Sequence, residues 1–249
     1  MEELIYPVLV FGAGFLSGII NVMAGGGSVI TLGVLILLGM DPTVANGTNR
    51  IGLVVETGSG VLAFKSENYS EAKKSLSFAL LTIPGALLGA FYAVKINDLW
   101  FQRILAVVMI FVLISLLLPK PAKEDGKTES RWGKILIYPT MFAIGLYGGF
   151  IQAGVGFLIM ASLRHLLHLD LVRINMHKVF IVLIYTVPVV FIFGFTGNID
   201  WLTALYMSGG YALGAWWSAK LSISKGEKAV KIVLCIAILM MATKFILTM

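Results

Sequence analysis

The chain has 249 residues, of which 58% are hydrophobic and only 13% charged, and its mean hydropathy is +0.92. A soluble domain is ordinarily about half apolar and a quarter charged, so a water-soluble enzyme or binding module is excluded: too much apolar side chain would have to be hidden. The formal charge of +6 does not point to nucleic acid either, because the cations fall in short polar segments between apolar blocks, where positive residues set membrane topology.

The apolar blocks are about as long as the ~20 residues that carry a helix across the hydrocarbon core. The first, residues 4–38, is broken by glycines. Ahead of it stand Glu2 and Glu3 rather than the basic region of a cleavable signal, so the amino-terminus is expected to be mature. Further spans are predicted over residues 45–64, 76–94 and 104–118, and a markedly polar stretch follows at 119–134. A span at 135–153 opens a second interrupted block that runs on to residue 167, and spans at 179–195, 201–219 and 232–247 complete the series. As one helix, residues 135–167 would reach about 50 Å against a core of roughly 30 Å. The chain therefore has to break or turn back. Cys235, the single cysteine, lies in the last span and reads as a small packing residue, so no intrachain disulfide is expected.

The polar stretch separates two related halves: residues 1–118 form a first transmembrane repeat, 119–134 a cytoplasmic linker and 135–249 a second repeat. A shift of 129 places AGGG (Ala24 to Gly27) on AGVG (Ala153 to Gly156), Asp41 on Asp170 and Asn46 on Asn175. A shift of 125 places GALLGAFYAVKI (85–96) on GYALGAWWSAKL (210–221). Ordered agreement of separate landmarks marks an internal repeat. If each interrupted block is a helical hairpin that returns to its starting side, segments 65–74, 119–134, 164–178 and 220–231 share one face and hold 15 of the 19 cations. That asymmetry names the face cytoplasmic. Both termini then lie outside and the halves enter from opposite faces. The expected fold is an all-α integral membrane protein of two inverted-topology repeats, each a glycine-interrupted helical hairpin followed by three transmembrane helices, which is a transporter architecture. A single broken crossing in place of each hairpin is the alternative, and it spoils the charge count.

Gly25, Gly26 and Gly27 precede an apolar segment opening at Ser28, and Gly154 and Gly156 hold the same place in the second half. A helix starting after such a break offers unpaired N–H groups and a positive dipole end to an anion, and interrupted backbone at membrane depth must be buried in protein or line a cavity. Glycines also serve close helix packing. That is the reading for the pairs Gly14/Gly18, Gly85/Gly89, Gly145/Gly149 and Gly210/Gly214. A second cluster, ANGTNR (45–50), is answered by INMHK (174–178): each opens a span with an Asn and places a cation three or four residues on, on one helical face. Charge near membrane depth points to function. Arg50 and Lys178 are thus candidates to hold a negative substrate, with Asn46, Thr48, Asn49 and Asn175 as hydrogen-bonding neighbours; the alternative is that both cations snorkel to the headgroups. Asn21, Ser28, Thr31 and Gln152 line the same cavity or join helices. Glu56, the one acid well inside a span, is a candidate proton relay or partner for a cation, and His177 is a second relay candidate. His165 and His168 share a helical face, but no third ligand completes a metal site. No HExxH or Ser/His/Asp pattern appears, so no metal, cofactor or catalysis is expected.

In their order, GFLSGIINVMAGGG, ANGTNR, GLYGGFIQAGVG, INMHK, GNIDW and GYALGAWWSAKL resemble the TauE/SafE family of sulfite and organosulfur anion exporters, over nearly the whole chain. The resemblance implies a secondary transporter of a bacterial inner membrane that exports sulfite, sulfoacetate or a related sulfonate by alternating access, driven by an ion gradient or the membrane potential. The residues by themselves indicate only a small anion. In the second half Gly154-Val155-Gly156-Phe157 stands where the commoner family pattern has a triple-glycine run. The family's site therefore carries over more directly to Gly25, Gly26, Gly27, Asn46, Thr48, Asn49 and Arg50 than to Gln152, Gly154, Gly156, Asn175 and Lys178. The partners implied are a small anionic substrate and the lipid bilayer, with a homodimer left open. An anion channel and a membrane protein without transport are the alternative functions.

Overall fold

A computed structural model of the protein describes residues 2–97 and 131–248, with 99–101, 103, 104 and 107 between them, and gives side chains for most of these from residue 5 to residue 225. The described residues are helical and contain no strand. They form α1 (Glu2–Met23), α2 (Gly27–Leu37), α3 (Pro42–Ser66), α4 (Ala72–Ala93), α5 (Arg131–Phe150), α6 (Val155–Leu167), α7 (Leu171–Phe195) and α8 (Trp201–Thr248). Three of them, α1 from Ile5, α4 and α7, are long and apolar enough to cross a membrane, and the chain is an integral membrane protein. Most of the expected span 104–118, and the linker up to residue 130, lie outside the described residues, as does the side chain of Cys235; residues 131–134 already belong to α5.

Where the chain breaks, glycine is the reason. Gly25 has φ +90° and Gly154 φ +75°, the left-handed region that a residue without Cβ enters freely. After the first break α2 folds back on α1: a Cβ on Gly27 would lie 2.9 Å from Asn21 Cβ and nearer still to the Ser17 carbonyl. In an unbroken helix residues 17 and 27 would be about 15 Å apart. In the second half Tyr147 Oη donates to the Ala153 carbonyl at 2.5 Å across the corresponding bend. With 11 and 13 residues, α2 and α6 rise only about 16 and 20 Å, roughly half a crossing. Pro42 opens α3 at its first position, where a missing N–H does no harm. Asp170 caps α7 by accepting from Arg173 N at 2.9 Å.

The halves repeat each other in backbone as well as in sequence. Among the described residues the positive-φ positions are Gly25, Gly39, Asn68, Gly154, His168 and Gly197. They form three pairs 129 apart, the offset of the AGGG and AGVG motifs. Packing follows the same relation. α1 lies on α8 and α4 on α5, α3 lies on α8 and α7 on α4, and α3 meets α7. Exchanging α1 to α4 for α5 to α8 maps this set onto itself, as a two-fold relation requires. At two of these crossings the glycine pairs decide the approach. A Cβ on Gly18 would lie 2.8 Å from the Tyr211 carbonyl, and Gly210 and Gly214 press equally on Phe11 and Phe15; Gly85 and Gly89 meet the backbone of Phe142, Leu146 and Phe150, while Gly145 and Gly149 meet Thr82 and Ala86. All four pairs are packing glycines, as expected from their spacing.

α3 and α7 occupy the centre and carry most of the buried polar side chains, Asn46, Asn49, Arg50, Glu56, Asn175 and Lys178 among them. The outer helices leave Val8, Leu88, Tyr138 and Leu213 exposed, apolar surface that suits lipid. Two expectations are corrected. Residues 201–219 and 232–247 belong to one helix of 48 residues, about 72 Å long, which runs through 220–231 without the expected turn. That segment holds no proline, and its one glycine, Gly226, costs a helix only about 1 kcal/mol. Placing the carboxy-terminus outside depended on the turn. Segment 164–178 is likewise no loop: it is the end of α6, a short connection and the first turns of α7, and Lys178 is buried there, not a loop cation.

Candidate substrate site

The two breaks meet. A Cβ on Gly25 would fall 2.6 Å from Gly156 Cα and 2.8 Å from Phe157 N, and one on Gly156 would fall 2.6 Å from the Gly25 carbonyl oxygen. Backbone rests on backbone, which only glycine on both sides allows. The amino-termini of α2 and α6 are thereby brought together at the centre. Their first amides are engaged within the protein: Gly27 N donates to Asn21 Oδ1 at 3.2 Å, and Phe157 N to the Gly154 carbonyl at 3.0 Å.

A break also frees carbonyls at the end of the preceding helix, where the dipole is negative. Each half supplies a cation to those of the other. Lys178 Nζ, on α7, donates to the Val22 carbonyl at the end of α1 at 2.7 Å. Arg50, on α3, donates through Nη1 to the Gly148 carbonyl at 3.0 Å and through Nη2 to the Gly149 carbonyl at 2.7 Å, at the end of α5. Asn46 Nδ2 adds the Phe150 carbonyl at 3.0 Å. The guanidinium also stands 4.7 Å from the centre of the Phe193 ring, and its Nε is buried without a partner. Lys178 completes its shell with Asn175 Oδ1 at 2.9 Å and Met160 Sδ at 3.6 Å. Neither cation snorkels to a membrane surface; both are buried.

Between the halves lies a cavity lined by Asn21, Glu56, Thr57, Gln152, Gly156, Lys178, Val179 and Val182. Its volume of about 10 Å³ is close to the least that holds one water. Glu56 accepts from Asn21 Nδ2 at 3.0 Å, and the same amide reaches Ser28 Oγ at 3.3 Å. On the far side Gln152 Oε1 accepts from Tyr185 Oη at 2.9 Å. Glu56 and Tyr185 stand 129 apart, so the repeat puts an acid at this level in one half and a phenol in the other. Two side chains of opposite charge type, Glu56 and Lys178, line one small space.

The expected residues thus divide. Asn21, Glu56, Gln152, Gly156 and Lys178 come together around the cavity, with Gly25, Ser28 and Asn175 in contact with them; Gly26 and Gly154 are the N-caps of α2 and α6. Arg50 and Asn46 sit behind the α5 break instead. Asn49 Oδ1 accepts from Thr31 and Tyr211 at 2.8 and 2.9 Å, and the Nδ2 groups of Asn49 and Asn175 are buried without partners. Thr48 Oγ1 accepts from Asp200 N at 2.9 Å, at the turn before α8. His177 lies on another face of α7, 2.8 Å from Ser75 Oγ and 3.8 Å from Glu71, and does not border the cavity with Glu56. Sequence reading missed Tyr185 and Tyr211. Their hydroxyls, isolated in apolar spans, were the available signal, because a buried phenol needs a partner.

The family model described as sulfite exporter TauE/SafE matches residues 10–245. A probable membrane transporter protein, ORF9, of Sinorhizobium sp is 28% identical over 99% of this chain and 95% of its own length. The probable membrane transporter protein YfcA of Escherichia coli strain K12 is 26% identical, covering 99% and 91%. YunE of Bacillus subtilis strain 168, with the same description, is 22% identical over 89% of each chain. No solved structure matches.

Proposed function

The chain belongs to the TauE/SafE sulfite exporter family, and from that premise we propose that it is a secondary transporter moving a small sulfur-containing anion, sulfite or a sulfonate, across a bacterial inner membrane by alternating access. Its two halves are then inverted repeats, with the amino-terminus outside. The matched packing of the halves and the positive-φ pairs 129 apart support a two-fold relation, and the positive charge of segments 65–74 and 119–134 supports the orientation.

One observation carries the reading: each half holds a buried cation against the carbonyl end of the other half's interrupted helix. A carbonyl end is only a partial negative charge. A full anion outcompetes it once the halves part and make room. Lys178, which borders the cavity, is the first ligand on this view, and Asn21, Ser28, Gln152 and the Asn175 amide are the neutral donors. In the conformation seen the cavity is too small for an oxyanion, so binding requires the halves to move apart.

The test is transport by purified protein in liposomes. Labelled sulfite should enter with saturable kinetics and show counterflow from vesicles preloaded with unlabelled sulfite, the signature of a site that faces one side at a time. Flux rising linearly with concentration and lacking counterflow would reject the carrier.

A further inference from the structure

We propose that Glu56 carries one proton with each monovalent anion, so that the loaded and the empty site are both electrically neutral. The inference rests on the reading of the cavity as the transport site, and it adds the co-transported ion.

Charge balance in a closed space makes the case. The cavity is lined by Glu56 from one half and by Lys178 from the other. An ionised Glu56 and a charged Lys178 sum to zero when no substrate is present. Closing the same site around a monoanion would leave one negative charge unbalanced, and an unpaired buried charge is among the least favourable things a protein can hold. Protonating Glu56 restores the balance: the neutral acid stays beside Asn21, and Lys178 turns its charge to the anion. No bond is made other than O–H on the carboxylate, and the proton comes from the side to which the site is open.

Other groups around Glu56 cannot take that role. The titratable groups facing it are Lys178 from α7 and Tyr211 from α8. Tyr211 already donates to Asn49 Oδ1 at 2.9 Å. From α1 comes Asn21, from α2 Ser28 bound to the same amide, and from the second break Gln152, none of which titrates. His177 faces Ser75 and Glu71 elsewhere. Asn21 suits either form of the acid, because a protonated carboxyl keeps an oxygen that accepts from the Asn21 amide while its O–H is free to donate elsewhere. A neutral cycle also removes the membrane potential from the driving force. Net flux follows the product of proton and anion concentrations on the two sides, so an anion made inside leaves once its accumulation exceeds the opposing proton gradient.

Methanesulfonate is the probe, being a monoanion that does not itself titrate near neutral pH. In liposomes bearing the wild-type protein, an outside-acid gradient of one pH unit should drive roughly tenfold accumulation. A trapped pH dye should report proton entry that requires the anion, and a potassium–valinomycin potential should change neither. Glu56→Gln should abolish the pH-driven accumulation while counterflow persists at a reduced rate. Accumulation that follows the imposed potential, with no proton entry, overturns the proposal even if counterflow is intact. That wild-type result decides the matter should the variant fail to fold. Absence of counterflow for both methanesulfonate and sulfite would instead remove the transporter reading on which the inference stands.

Discussion

Arg50 is fully buried, and its two nitrogens close the carbonyl end of α5. From sequence it reads as a candidate substrate ligand. The structure changes that expectation, because Arg50→Ala leaves the Gly148 and Gly149 carbonyls without donors in a dry interior. Each buried acceptor left without its donor costs about 1–3 kcal/mol, so the two together cost about 2–6 kcal/mol. In a chain of this size that corresponds to a fall in Tm of roughly 10 °C. Arg50→Ala should show it in detergent by thermal unfolding; a shift of a degree or two would place Arg50 outside the structural frame and return it to the substrate. Lys178 differs, because it borders the cavity and meets Glu56 across it. A buried cation in each half thus does a different job, and the neighbours distinguish them.

At the scale of helices, glycine is used in two ways. At Gly25 and Gly154 it allows a backbone conformation; at the crossings it allows proximity. Gly58 has nothing within 4 Å of an added Cβ, whereas at Gly89 that atom would lie 2.7 Å from Phe150 N and nearer still to the Leu146 carbonyl. Gly58→Ala should be neutral or raise stability by about 0.5–1 kcal/mol, the helix-propensity gain. Gly89→Ala should lower it by about 1–3 kcal/mol, as overpacking does. Detergent unfolding of both variants checks the contrast, and equal effects would mean that α4 and α5 are not pressed together at Gly89. The glycine spacing made these contacts legible in the sequence. It did not show which helices are partners: α1 crosses α8, nearly the whole chain away, and not its neighbour in the series.

For the molecule as a whole, the offset of 129 makes a topological prediction. Glu67 and Thr196 are equivalent and both exposed. An inverted repeat puts them on opposite faces of the membrane. In a Cys235→Ser background, Thr196→Cys should react with a membrane-impermeant maleimide on intact cells, and Glu67→Cys only after permeabilisation. Labelling of both from one side would make the halves parallel and end the alternating-access scheme. The charge count that motivates this includes segment 65–74, which holds the connection between α3 and α4. It failed where it assumed a loop: Lys178 belongs to the interior, and residues 220–231 continue α8. Hydropathy registers that a segment is polar, and a polar segment without proline or a run of glycines is as free to be helix as turn.

Composition and order alone determined that the chain is a helical membrane protein and that it breaks at two glycine motifs. These are properties of local pattern, because lipid demands apolar blocks of a given length and satisfied backbone within them. Only the tertiary structure decided that the breaks touch, that each cation is held by the opposite half, and that Glu56 shares a small cavity with Lys178 while His177 and Thr48 do not. Those facts depend on contacts between residues about a hundred or more positions apart. The rotation of each helix about its own axis sets such contacts, and a long apolar helix with polar residues on several sides leaves that rotation undetermined until its neighbours are in place.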